Sequence, residues 1–149
     1  MPVGTAQTCE TLAMKRLFLA AVSLATAAVV LVGCGSSDAV QQAEGVTVMV
    51  LASQPSAVMD ALITGTLTIT DSGCFAVTNG DTTYPLQFPY GTRLETSGDA
   101  VTVPGLPPLR EGDQIRGGGG YLHLSDVPPE CAADNEYDEY AVWQTVPGE

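Results

Sequence analysis

Apolar and polar residues alternate most strictly from Ala61 to Thr70 (ALITGTLTIT). Ile63, Gly65, Leu67 and Ile69 fall on one face there, and Thr64, Thr66, Thr68 and Thr70 on the other. Period two over that length predicts a strand with one buried face. Val46 to Leu51 (VTVMVL) is apolar and β-branched and reads as another strand, while Pro55 to Leu62 (PSAVMDAL) suggests one short helical turn. Cys74 to Thr78 (CFAVT) is followed by Asn79-Gly80, the strongest short-range hairpin signal, which turns the chain into Thr83 to Phe88 (TYPLQF) as an antiparallel partner. Arg93 to Val103 holds two weak strands around Ser97-Gly98-Asp99, and Gly105 to Pro108 is a loop leading into Arg110-Glu111-Gly112-Asp113. A strand from Gln114 to Leu124 is expected to be interrupted by Gly117 to Gly120, and Tyr137 to Val146 makes the last one. Many short strands between regular turn signals predict an all-β sandwich or barrel, and about 100 residues suit a small closed barrel.

The longest apolar run lies outside this pattern. Leu17 to Val32 (LFLAAVSLATAAVVLV) follows Lys15 and Arg16 and ends at Gly33 and Cys34. A basic start, an apolar stretch and small residues at its end form an export signal. The alternative is an uncleaved helix, since the run sits at the lower edge of the about 17–25 residues that span a bilayer. Met1 to Ala13 is polar and carries Glu10, whereas Met14 opens an ordinary signal, so residues 1–13 are read as a non-native leader and 14–33 as the signal peptide. Leu31-Val32-Gly33-Cys34 resembles the lipobox of bacterial lipoproteins. That resemblance implies cleavage between Gly33 and Cys34, a diacylglyceryl group on the Cys34 sulfur, and attachment to the outer face of the cell membrane. Acyl chains contribute about 0.8 kcal/mol per buried CH₂, so two or more anchor firmly without a membrane-spanning helix.

Charge sharpens the picture of the exported part. The chain carries 5 Lys and Arg against 17 Asp and Glu, a net charge of −12, which argues against a nucleic-acid partner because phosphates demand a basic face. Setting aside Lys15, Arg16 and Glu10 leaves Arg93, Arg110 and Arg116 as the only basic side chains, with no Lys after position 33. Anionic lipid heads repel such a domain. Residues 34–45 are expected to be the lipidated cysteine and a flexible tether, because Gly35 to Gly45 (GSSDAVQQAEG) is small and polar, with the barrel domain at 46–149. A composition of 45% hydrophobic and 15% charged residues fits one ordered domain and argues against disorder.

Three motifs carry a second, weaker resemblance. Gly73-Cys74, Tyr84-Pro85-Leu86 with Phe88-Pro89, and Glu111-Gly112-Asp113-Gln114-Ile115 with Gly117 to Gly120 follow an order similar to small OB-like barrel domains of exported bacterial proteins. The likeness implies a binding surface on the barrel and names no ligand.

Several residues are candidates for chemistry. Cys74 and Cys131 remain once Cys34 is lipidated, and an exported domain sits where disulfides form, so a bridge is expected between them, contributing about 3–4 kcal/mol. A redox pair or a thiolate metal site is disfavoured by the absence of Cys-x-x-Cys and by the single histidine. That histidine, His123, falls on the strand face opposite Leu122 and Leu124 and reads as solvent-facing; with an acidic partner it is also the one acid-base pair available. Gly117 to Gly120 lacks the Lys-Ser/Thr of a phosphate loop and is expected to form a bulge or a sharp coil. Asp134, Glu136, Asp138 and Glu139, with Glu130 beside them, are hard oxygen donors able to hold calcium weakly, although they lack the EF-hand order. The bland reading is a solvated acidic rim, with Tyr137 and Tyr140 as aromatic anchors for a partner. No enzyme signature and no cofactor motif is present. The function expected is therefore that of a non-enzymatic binding or interaction module, whose partner is an envelope protein or a small ligand. An accessory subunit of an envelope enzyme and a low-affinity metal-binding envelope protein are the alternatives.

Overall fold

In a computed structural model the described residues are 40–125, 127–133 and 138–146. Five strands close a barrel: β3 (Ala61–Ile69), β4 (Phe75–Asn79), β5 (Thr82–Phe88), β9 (Gln114–His123) and β10 (Glu139–Thr145). The pairs β3–β4, β4–β5, β3–β9 and β9–β10 are antiparallel, and β5–β10 is parallel through Ala141 opposite Leu86 and Val142 opposite Gln87. The fold is a small all-β, OB-like barrel.

The alternation in β3 does what its period demands. Ile63 and Leu67 are fully buried, and the strand changes partner halfway, meeting β9 through Ala61–Thr66 and β4 through Thr66–Ile69. Gly65 sits at that change with φ 155°, and a Cβ there would stand 2.3 Å from the Thr78 carbonyl oxygen. Only glycine lets a long strand bend this closely over its neighbour. The β4–β5 hairpin turns one residue later than Asn79-Gly80 suggests: Asn79 pairs with Thr82, and Gly80 (φ 62°) and Asp81 form the turn.

Inside the barrel an aromatic series fills the centre. Phe75 meets Phe88 edge-on at 5.8 Å, and Phe88 lies 6.2 Å from Trp143. Between β5 and β9 the chain builds a second sheet from β6 (Arg93–Leu94), β7 (Ala100–Thr102) and β8 (Leu109–Arg110). It sends Val101 and Val103 into the barrel core, with Leu106 and Leu109 packed against it.

Three expectations are corrected. Residues 40–43 are not tether: β1 (Val40–Ala43) forms a hairpin with β2 (Val46–Val50) through Glu44 and Gly45, both at positive φ (48° and 81°), and β2 pairs in parallel with β5. The Gln41 amide acts there like an extra peptide group, donating to the Thr92 carbonyl (2.8 Å) and accepting from the Leu94 N–H (2.7 Å). Pro55 to Leu62 forms no helical turn; the segment crosses the outside of β9 and runs into β3 at Ala61.

The third correction concerns the glycines. β9 is continuous through Gly117 to Gly120, and the register shift lies opposite, in β10 between Trp143 and Thr145. The glycines make room on both faces. A Cβ on Gly117 would lie 2.1 Å from Trp143 Nε1, and one on Gly119 would lie 1.9 Å from the Val142 oxygen and 2.8 Å from Ile63. On the outer face, Met59 lies against Gly120 and Val58 against Gly118, while the Met59 N–H donates to Gln144 (2.6 Å).

Candidate functional site

The loops that OB barrels commonly use for ligands join the first two strands and the last two. Here they are residues 70–74 and 124–138, and a disulfide between Cys74 and Cys131 ties them together. Both cysteines are buried, packed with Met49 and flanked by Val127 and Tyr140. Cys131 reaches the bridge from the single helical turn α1 (Pro129–Ala132).

The N-terminal hairpin fastens the same end. Glu130 accepts hydrogen bonds from Thr47 (3.0 Å) and from the Gln42 amide, and the Thr47 N–H donates to the Gly73 carbonyl (2.7 Å). Its own backbone N–H first and the Thr47 hydroxyl next hold the Glu130 carboxyl below its ordinary value, against an upward push from burial, and the Gln42 amide adds a lesser downward pull. The two loops are thus fixed to each other and to β2. They form a clasp.

The acidic candidates lie beside this clasp. Asp138 is exposed at φ 52°, and Glu139 opens β10 opposite His123, which is exposed. Tyr140 is half-buried against the disulfide, so part of the aromatic surface read as a partner anchor is spent on packing. Asp134, Glu136 and Tyr137, like Gly33 and Cys34, lie outside the described residues. Among the described residues no three His, Cys, Asp or Glu side chains stand close enough to hold a metal ion. Gly117 to Gly120 offers no phosphate cradle, because its backbone is paired with β3 on one side and β10 on the other.

A different surface is concave and apolar. Thr64, Leu106, Pro107, Leu109, Gln114, Ile115, Arg116 and Trp143 line a groove of about 490 Å³, larger than the hollow beside Tyr90 (290 Å³) or the one at the Gln42–Glu130 clasp (320 Å³). Its walls come from β3 and β9 on one side and from the 103–109 loop with β8 on the other. Volume and lining both match small-molecule sites, which run from about 300 to 1,000 Å³ and are mostly apolar with a few polar groups. The polar groups here are the Thr64 hydroxyl, which donates to the Ile115 carbonyl (3.3 Å), the Gln114 amide, which donates to Thr66, and the exposed Arg116 guanidinium.

Sequence reasoning passed over this groove. Its one signal was two leucines, Leu106 and Leu109, within a proline-rich loop that would otherwise be polar.

No protein-family description, curated protein or solved structure matches the chain.

Proposed function

We propose that this protein is a lipid-anchored binding domain held at the outer face of the cell membrane, with the Trp143 groove as its ligand site. The observation that carries the reading is the groove itself, a mostly apolar concavity of about 490 Å³ on a barrel whose habitual ligand loops are clasped together. The location rests on two supports. The buried Cys74–Cys131 bridge suits an oxidising compartment, and Leu31-Val32-Gly33-Cys34 resembles a lipobox. A strongly acidic domain is repelled by anionic lipid heads, so a covalent lipid on Cys34 is the means by which it stays at the surface.

The anchor is tested by expressing the full chain in bacteria fed a labelled fatty acid. The natural chain should take up label and shift to a shorter mature form, whereas Cys34→Ala should accumulate as unlabelled precursor. Label on the Ala variant overturns the anchor.

A further inference from the structure

We infer that the groove takes a small amphipathic monoanion, an apolar body bearing one carboxylate, and that Arg116 is the group that recognises the carboxylate. The inference rests on the reading of the groove as a ligand site and adds the chemistry of its occupant.

The argument begins with scarcity. After position 33 the chain has three cations, and Arg110 is committed to an ion pair with Asp99. The Ser97 hydroxyl first, and then Arg110, hold the Asp99 carboxyl below its ordinary value, so that pair is internally satisfied. Arg93 lies away from the groove, on β6. Arg116 is the cation at the groove's rim, on the outward face of β9 opposite Thr64.

The carboxylates nearest in sequence to Arg116 are turned to other tasks. Glu111 accepts from the Thr68 hydroxyl and the Ile69 N–H (3.1 Å each), and Asp113 accepts from the Arg110 N–H (2.7 Å). Among the described residues Arg116 has no ion-pair partner. Of the groove's other side-chain donors, the Thr64 hydroxyl is engaged with the Ile115 carbonyl, and the neutral Gln114 amide gives one of its two N–H groups to Thr66. An occupant therefore meets apolar walls at Leu106 and Leu109, above the buried Trp143, and at the rim a charged fork with no ion-pair partner among the described residues.

Charge then selects among anions. A guanidinium matches carboxylate and phosphate alike in geometry. One guanidinium neutralises one charge, however, and a dianion would carry its second charge into the field of a protein of net charge −12. A monoanion is favoured, and the apolar walls require that it bring an apolar body.

Trp143 is the only tryptophan in the chain and lies fully buried beneath the groove, so its emission responds to an occupant only through the packing above it, and calorimetry reads binding alongside it. The full chain, excited at the indole, is titrated with 3-phenylpropionate, with its neutral amide, and with 2-phenylethyl phosphate. The carboxylate should shift Trp143 emission saturably and bind at least tenfold more tightly than the amide or the phosphate. Arg116→Gln should remove that preference while leaving amide binding and the melting temperature unchanged; Arg93→Gln should change neither. Equal binding of carboxylate and amide overturns the anion site and leaves the groove standing as an apolar site. Tighter binding of the phosphate overturns the monoanion. A carboxylate preference that survives in Arg116→Gln overturns the role of that residue. No heat of binding in a calorimetric titration and no change at Trp143 with any probe overturn the groove reading and this inference together.

Discussion

A side chain on Gly117 and the indole of Trp143 would claim the same space: a Cβ on that glycine would stand 2.1 Å from Trp143 Nε1 and 2.0 Å from the Thr145 carbonyl oxygen. The indole N–H itself donates to that oxygen at 2.8 Å. The largest side chain of the core is thus seated on a strand that has surrendered its own side chains, and the bulge at residue 144 lets the indole reach back to its own strand.

Gly119→Ala and Gly117→Ala should therefore destabilise the barrel strongly, because each new methyl meets backbone that cannot swing away. Overpacking of this kind costs about 1–3 kcal/mol or more, a drop on the order of 10 °C in melting temperature for a domain this size. Gly120→Ala should cost clearly less, since the nearest atom is the sulfur of Met59, a flexible side chain. Thermal melts of the three variants rank them, and a Gly120 variant as damaged as the other two would show that the outer face is as rigid as the inner.

Reduction of Cys74–Cys131, or its replacement by two alanines, should lower stability by about 3–4 kcal/mol, because the bridge closes a loop of 57 residues. Chemical denaturation with and without reductant measures this. A change under about 1 kcal/mol would mean that the Glu130 bonds and the β2 pairing hold the clasp without the sulfurs.

Glu130 gives stability a pH dependence of definite sign. Its carboxyl is held below its ordinary value in the folded protein, so its contribution is present above that ordinary value, 4.5, and fades as pH falls through the depressed one. Glu130→Gln should melt lower than the natural protein at neutral pH, and the gap should close on acidification below about 4.5. A gap that widens with acid contradicts the assignment.

Gln41→Ala distinguishes an integral hairpin from a tether. Losing this amide leaves the Leu94 N–H and the Thr92 carbonyl without their partner, which should cost about 1–2 kcal/mol in a denaturant melt. No effect would mean that β1 can leave the barrel freely.

Legibility in the sequence followed the range of the forces involved. β3 and the β4–β5 hairpin were readable because period-two alternation and an Asn-Gly turn act between neighbours in the chain. The disulfide was readable because the chain after position 33 has only those two cysteines besides Cys34. Residues 40–43 were missed because VQQA has the composition of a tether and becomes a strand only through β2 and the amide of Gln41. The glycine run was misread because its reason lies in Trp143, Ile63 and Met59, far off in sequence. The groove was hidden most completely. Thr64, Leu106, Arg116 and Trp143 share no local pattern, and barrel closure alone assembles them.

The parallel contact between β5 and β10 has a consequence for how the chain is made. β10 supplies the edge that joins β5 to β9, and it comprises residues 139–145 of 149. Until those residues emerge from the ribosome the sheet β9-β3-β4-β5 keeps two open edges, and Trp143, the plug of the core, is not yet in place. Under the export proposed above, a chain whose β10 has not yet passed the membrane pore holds an open sheet and not a barrel, so closure waits for that strand.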